Sequence, residues 1–305
     1  MEVSWFQTDE ALQFFKELKC VKAFKVSTPN AYVQGYIQKE PGVLKGFFSR
    51  RAIVIGGPVI KPGTTKEEVV KLLTELKRAT SNAIYVEIRC ESDLSTYADA
   101  FIEAGFEYEK HYNVKIKCDS EKAALMRMDE NRRRQIKRSQ QSGAVCKFAD
   151  EIDEVDTFFE MLKRHYETKV RKPLFPLEFF EKIISTGSGN LLICTQDGNI
   201  IGGMLQVSTA TTVYDYYACG LDAQYQVESP SVLLYWTTIN NAINNGQTTF
   251  DTMGAGVPGV PYGVRDFKLR FGGELVEYGR YLHINSNLLY KLGKFIVNCR
   301  LPIVN

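Results

Sequence analysis

Apolar residues recur along the chain with two different periods, and the alternation between them sets out the elements. Thr8 to Lys19 places Leu12, Phe15 and Leu18 between charged residues at helical spacing, with Asp9 at the acidic start that a helix dipole favours. Lys22 to Gln38 reads as strands broken at Pro29-Asn30. Arg51 to Ile60 is a second strand region, interrupted where Gly56-Gly57-Pro58 breaks pairing. Thr65 to Ala79 predicts a helix: Thr65 caps it, Glu67 and Glu68 fill its first turn, and Val69, Leu72, Leu73 and Leu76 form its stripe. Residues 84–89 alternate as IYVEIR, so Glu87 and Arg89 share a strand face with Tyr85. Ser95 to Ala104 predicts a helix stopped at Gly105, and Phe106 to Lys117 predicts closing strands.

The second half opens with a long basic helix predicted over Glu121 to Ser142, followed by a strand, Ala144 to Ala149. Helices over Asp153 to Lys169 and Leu177 to Thr186 come next. Asn190 to Gln196 and Ile200 to Ser208 form a hairpin across Asp197-Gly198-Asn199. A strand (Val213 to Ala218), a helix with proline in its first turn (Pro230 to Asn244), a strand (Thr249 to Thr252), a short helix (Asp266 to Arg270) and a strand (Glu274 to Ile284) complete the body. The apolar tail from Leu288 to Val304 fits packing on the body or against a partner equally well.

The two halves share an order of elements. A helix (66–79), a strand (84–89), a second helix (95–104), Gly105-Phe106-Glu107 and closing strands in the first half match a helix (230–244), a strand (249–252), a short helix (266–270), Gly272-Gly273-Glu274 and a strand in the second. Two copies of one α+β unit account for this better than one large sheet. The predicted boundary lies near residue 118, giving units 1–118 and 119–305.

Composition narrows the picture. A chain of 305 residues accommodates about two domains. Lys and Arg number 38 against 36 Asp and Glu, a net charge of +2, so only local patches can attract polyanions. Seven cysteines, an odd count without a CxxC pair, point to reduced thiols in a cytoplasmic protein. His111, His165 and His283 lie too far apart for a local zinc motif, and no metal is expected. MEVSWFQTDE shows neither the basic start nor the apolar core of a signal peptide, and no apolar run approaches the ~18 residues of a membrane span.

Four segments carry candidate chemistry. Phe250 to Tyr281 packs glycines and prolines around Asp251, Arg265, Asp266, Lys268 and Arg270, with Tyr262 among them. Glycine lets backbone approach a ligand closely, and Arg or Lys there meets an anionic group or a developing oxyanion. A surface loop with solvated charges is the competing explanation. Gln226-Val-Glu-Ser-Pro-Ser231 precedes a helix N-terminus, which suits an anion or simply a Ser-Pro cap. Arg127 to Arg138 (RMDENRRRQIKR) sets Arg127, Arg134 and Arg138 on one helix face and Arg133 and Lys137 on a neighbouring row. That face fits phosphate binding or plain solvation. Glu87 and Arg89 fit a structural ion pair or contact with substrate.

With these residues in view, the chain resembles the FemABX family of tandem-GNAT proteins, in its short, arm-less acyltransferase form. The resemblance runs nearly end to end. It rests on Gly57-Pro58-Val59 after a strand, Glu107 to His111 closing the first unit, Asn131 to Ile136 opening the second, and above all Phe267-Lys268…Phe271-Gly272-Gly273-Glu274…Glu277-Tyr278. It implies two GNAT-like domains, each a mixed, mostly antiparallel sheet flanked by helices, with the acceptor cleft on the side of the first and acyl transfer in the second. It implies transfer of an aminoacyl group, from aminoacyl-tRNA, to an amine of a peptidoglycan or other cell-surface precursor. No tightly bound cofactor and no DNA partner are implied, and the place of action is the cytoplasm or the inner membrane face. Lys268 and Asp251 then stand as catalytic candidates, and Arg265, Tyr262, Glu87 and Arg89 as substrate contacts. Arg133 and Lys137 are donor contacts, together with Gln226, Ser229 and Ser231. GNAT proteins bind the pyrophosphate of coenzyme A through Q/R-x-x-G-x-G/A, and here serines replace both glycines. Two alternatives stay open: an acyl-CoA-dependent N-acyltransferase acting on an amino sugar, and a non-catalytic module that binds RNA or a precursor.

Overall fold

A computed structural model describes residues 3–40 and 42–300; of the apolar tail, residues 301–304 lie outside the described residues. The elements in chain order are α1 (Asp9–Glu17), β1 (Val21–Ser27), β2 (Ala31–Gln38), α2 (Val43–Ser49), β3 (Arg51–Ile55), β4 (Val59–Ile60), α3 (Lys66–Ala79), β5 (Tyr85–Arg89), α4 (Ala98–Glu103), β6 (Glu107–Glu109) and β7 (Tyr112–Lys117). There follow α5 (Glu121–Arg127), α6 (Glu130–Gln141), β8 (Val145–Phe148), α7 (Ile152–His165), α8 (Leu177–Ser185), β9 (Asn190–Gln196), β10 (Asn199–Ser208), β11 (Thr212–Gly220), α9 (Pro230–Asn244), β12 (Thr249–Gly254), α10 (Gly263–Leu269), β13 (Glu274–Glu277), β14 (Arg280–Ile284) and α11 (Asn287–Arg300).

These strands build two sheets of seven. The first runs β1-β2-β3-β5-β14-β6 with β4 beside β2, and only β3 and β5 are parallel. The second runs β13-β7-β12-β11-β10-β9-β8, and only β11 and β12 are parallel. Each parallel pair brackets a crossover helix, α3 in one repeat and α9 in the other, as parallel neighbours require. The predicted repeat is therefore present, with one exchange. β14, from the second repeat, lies between β5 and β6 of the first, and β7, from the first repeat, lies between β12 and β13 of the second.

That exchange moves the division of the chain. The first compact unit takes Met1–Lys110 and Tyr278–Asn305, and the second takes His111–Glu277, in place of a single cut near 118. The closing strands predicted in the first half, Glu107–Glu109 and Tyr112–Lys117, pair in different sheets, and the single strand predicted over Glu274 to Ile284 is two that do the same, Glu274–Glu277 apart from Arg280–Ile284. The predicted helix over Glu121 to Ser142 is also two. Met128 is extended, and the Asp129 carboxylate accepts the Arg132 N–H and restarts the helix. Arg127 therefore does not share a helix face with Arg134 and Arg138.

In the first unit the stripe of α3 (Val69, Leu72, Leu73, Leu76) lies on Val33, Val54, Val86 and Ile88. Tyr281 of β14 stacks on Phe101 with centroids 3.8 Å apart. In the second, α9 buries Val232, Trp236 and Ile239 against Ile201, Met204 and Phe250. The Phe271-Gly272-Gly273-Glu274 motif belongs to this packing. Gly272 has φ +74, and a side chain on it would strike Arg127; one on Gly273 would strike Val114 of β7. Glycine is the only residue that lets β13 reach its place beside β7.

β14 joins β5 to β6, so a chain ended at Glu277 leaves an open edge on β5 and strips Phe101 of its stacking partner. The truncated protein is expected to aggregate on size-exclusion chromatography; a folded monomer would contradict this account.

Candidate functional site

β11 and β12 pair only from Thr212–Tyr214 to Thr249–Asp251, although β11 continues to Gly220 and β12 to Gly254. Beyond Tyr214 and Asp251 the strands have no ladder bonds to each other. A shift of register between β10 and β11 adds to this, because Leu205 pairs with Tyr217 while Gln206 pairs with Asp215, leaving Tyr216 as a bulge. β12 breaks its pairing with β7 between Asp251 and Gly254, and Met253 adopts φ 60 there.

Charged side chains gather at this fork. Asp251, the last residue of β12 that pairs with β11, is fully buried. Its Oδ1 accepts the Met253 N–H at 2.8 Å, and its Oδ2, which lacks a hydrogen-bond partner among the described residues, lies 3.6 Å from Lys115 Nζ. That first bond, between an aspartate and the amide two residues on, holds Met253 in its left-handed conformation. Lys268 on α10 is buried, and its Nζ donates to the carbonyls of Thr252 and, at 3.0 Å, Gly254. An ammonium has three donors, and the third has no acceptor among the described residues. Asp215, half-buried and one residue past the last position of β11 that pairs with β12, accepts a 2.6 Å hydrogen bond from the Tyr235 hydroxyl on α9.

Burial governs the proton affinities of this cluster. It pushes the Asp251 carboxyl above the usual carboxylate range, against the pull of Lys115, the Met253 N–H and Lys268. It pushes Asp215 up as well, with Lys268 and the Tyr235 hydroxyl opposing. It holds the Lys268 ammonium below an ordinary lysine, with Asp215 and Asp251 opposing, and raises Tyr235 well above an ordinary tyrosine. A carboxylate with raised proton affinity is a stronger proton acceptor than an ordinary one, and a cation in a partly dehydrated setting stabilises a nearby oxyanion more strongly than it would in water.

The other expected residues fall in different settings. Arg265 spends its guanidinium on the carbonyls of Val257 (3.1 Å) and Val260 (2.7 Å), so it clamps the preceding loop. Tyr262 stands exposed at the start of α10, with its ring against Gly256. Arg133 donates to the carbonyls of Leu125 and Met128, which closes the end of α5, and Lys137 is exposed. Arg132 is buried with its guanidinium 4.6 and 4.4 Å from the ring centroids of Phe267 and Phe271, and burial brings it down to about 10. Much of the basic run is thus structural.

The segment before α9 is closed on itself. Ser229 has φ 45, a glycine-like conformation at a position where the coenzyme A pattern has glycine. Its N–H goes to Tyr225 O and its hydroxyl to Gln226 O, while Gln226 O also accepts from Arg138. Pro230 has no N–H to offer. The Ser231 N–H and hydroxyl both donate to the Asp222 carboxylate, and the Val232 N–H goes to Ser229 O. The place of an anion at this helix N-terminus is filled by the chain's own aspartate.

Glu87 and Arg89 lie in the first unit, where Glu87 bridges Arg89 (2.8 Å) and Arg280 (2.6 Å). Sequence reading missed Arg280, Lys115, Asp215, Tyr235 and Asp222. An acid inside the apolar run of β11, TVYDYYACG, was the available signal for Asp215.

Comparison with known proteins bears on the fold. Residues 126–269 match the family of acetyltransferase (GNAT) domains. Over nearly its whole length the fold is similar to that of FemX, with TM-score 0.70 and 15% identity across 95% of this chain and 94% of that one. It is also similar to L-PGS from Bacillus licheniformis (TM-score 0.60, 14% identity, 93% and 92% covered). A tandem GNAT protein from the clavulanic acid biosynthesis pathway follows (TM-score 0.56, 10% identity, 91% and 86% covered). Comparison with curated protein sequences gives no match. Residues 126–269 thus match an acetyltransferase (GNAT) domain, and the α+β fold of the chain is similar to that of FemX and of a tandem GNAT protein, the fold that the resemblance implied.

Arg89 and Arg280 hold the Glu87 carboxyl down at about 2, from an ordinary 4.5. The stabilisation by ionised Glu87 is then complete above the unfolded value and is lost as pH falls toward about 2. Urea titrations of wild type and Glu87→Gln are expected to differ most near neutrality and to converge as the solution is acidified; a constant gap would contradict the pairing.

Proposed function

We propose that the protein transfers an aminoacyl group from aminoacyl-tRNA to an amine of a peptidoglycan or other cell-surface precursor. The observation that carries this reading is the Asp222 carboxylate at the N-terminus of α9. A coenzyme A pyrophosphate would have to displace it, and would bring further negative charge to a position that already holds one. The likeness in fold to FemX and L-PGS, together with the Phe267-Lys268 and Phe271-Gly272-Gly273-Glu274 motifs, supports an aminoacyl donor.

In this reading the acceptor amine, once neutral, attacks the carbonyl carbon of the donor ester at the fork between β11 and β12. Lys268 directs its uncommitted N–H at the oxyanion that forms, while the carbonyls of Thr252 and Gly254 fix the ammonium. The amine proton passes to Asp215, which is half-buried and accepts from Tyr235 on one oxygen. Collapse of the intermediate breaks the ester bond and forms the amide, and the ribose oxygen takes the proton from Asp215 and leaves as the hydroxyl of the donor. Asp251 has no exposed surface, so it acts as a positioning residue that shapes the turn at Met253 and places the carbonyls that hold Lys268. Arg265 and Tyr262 shape the loop beside α10.

A second reading, acyl-CoA as donor, is favoured by the match to acetyltransferase domains. Calorimetric titration with acetyl-CoA separates the two. No binding is expected from wild type; micromolar binding would overturn the aminoacyl-tRNA reading. Transfer of labelled amino acid from a charged tRNA pool is the positive test.

Lys268→Ala is expected to lower turnover by roughly 100-fold or more. The loss of stability, from leaving two carbonyls without their donor, is about 1–3 kcal/mol. Comparable activity in this variant would remove Lys268 from the mechanism. Because burial raises the Asp215 carboxyl, kcat/KM should climb with pH through a limb above the ordinary carboxylate range. In the residual activity of Asp215→Asn that limb should be absent, and a surviving limb would assign the proton to another group.

A further inference from the structure

α2 and α11 pack together in the first unit, and both turn large apolar side chains outward. On α11, Leu288, Leu292 and Phe295 recur at i, i+4 and i+7, a single stripe, and are 79%, 40% and 67% exposed. On α2, Phe47 and Phe48 are 48% and 42% exposed, with their rings edge to face at 5.2 Å. The other side of α11 is anchored: Tyr290 meets Tyr85 of β5 at 5.4 Å. The stripe is therefore the face that the packed helix leaves to solvent, and soluble proteins rarely leave such clusters without a use.

Cations border this face. Lys291 and Lys294 are exposed next to the stripe, and the Lys294 Nζ lies 4.8 Å from the Tyr290 ring centroid. Arg50 lies 4.7 Å over the Phe47 ring, and Lys39 is exposed. From residue 285 to 305 the sequence holds Lys291, Lys294 and Arg300 and not one acidic residue. Long basic side chains beside Phe and Leu let the apolar groups sink while the charges stay in water, the pattern of a helix that lies in a lipid interface.

We propose that α11 and α2 form a docking face for an anionic lipid bilayer, with α11 lying along the surface. At 14 residues α11 is about 21 Å long, short of the ~30 Å hydrocarbon core. Among the described residues no helix is long and apolar enough to cross a membrane. The charge of the face selects its partner: anionic headgroups attract the lysines, while Phe47, Phe48, Leu288, Leu292 and Phe295 reach the acyl boundary. The proposal goes beyond the reaction and does not depend on it.

Co-sedimentation of the full chain with vesicles tests it, using phosphatidylcholine alone and phosphatidylcholine mixed with phosphatidylglycerol. Wild type is expected to bind the mixed vesicles, and to bind them less as salt is raised. The double variant Leu288→Glu/Phe295→Glu should lose about tenfold or more of that binding. Lys291→Glu/Lys294→Glu, changed only at exposed positions, should lose roughly tenfold by charge alone. Acyl transfer to a soluble amine should be unchanged in both. Equal sedimentation of wild type and both variants would overturn the proposal, as would no sedimentation of wild type. Dimers of wild type that dissociate in Leu288→Glu/Phe295→Glu, without vesicle binding, would assign the face to a second copy of the chain instead.

Discussion

An ammonium group buried as deeply as that of Lys268 has to be surrounded by oxygen, and much of the second unit is arranged to supply it. The carbonyls of Thr252 and Gly254 can point at one nitrogen only because β12 leaves its ladder at Met253. Met253 can turn there because the Asp251 carboxylate takes its N–H. Asp251 in turn brings a buried negative charge that Lys115 and Lys268 offset. The helix that delivers Lys268 is fixed by Arg132, whose guanidinium lies over Phe267 and Phe271 and donates to Phe267 O. Removing any one member leaves another polar group without its partner in a dry place, so the cluster behaves as one unit.

The same economy explains the basic run from Arg127 to Arg138. By count it looks like a polyanion site. In the folded chain Arg127 is tied to Asp119 and Lys117 O, Arg132 to an aromatic pair, Arg133 to the end of α5 and Arg138 to the loop before α9. Carbonyls at helix ends and loops consume guanidinium donors as readily as phosphates do, and sequence alone does not separate the two uses.

What the sequence made legible follows from this. Periodicity located most strands and helices, because local pattern and burial coincide in α3, β5 and the hairpin of β9 and β10. The resemblance placed the Lys268 segment, and its glycines prove to serve the approach of β13 to β7. The partners of Lys268 were only partly legible. Asp251 could be picked out as an acid at a strand end. Asp215 and Tyr235 meet only because α9 crosses β11, and that meeting depends on packing between residues 20 apart. The exchange of β7 and β14 was invisible, because Phe106 to Lys117 read only as closing strands, Glu274 to Ile284 read as one strand, and nothing local marks which sheet a strand will join. Asp222 was hidden for another reason: serine in a loop motif suggests a weakened ligand site, and nothing in the pattern shows that the chain itself provides the anion.

The insertion of β14 between β5 and β6 also sets a timetable. β5 ends at Arg89 and β14 begins at Arg280, so the strand that completes the first sheet is made long after the neighbour it pairs with. At a synthesis rate of roughly 5–20 residues per second, the intervening stretch takes on the order of 10 to 40 seconds to emerge. Through that interval the amino-terminal unit waits with a gap in its sheet and Phe101 lacks its cover. A nascent chain in this state presents an unpaired strand edge to its neighbours, so the yield of folded protein in a cell depends on how well that edge is shielded until β14 emerges.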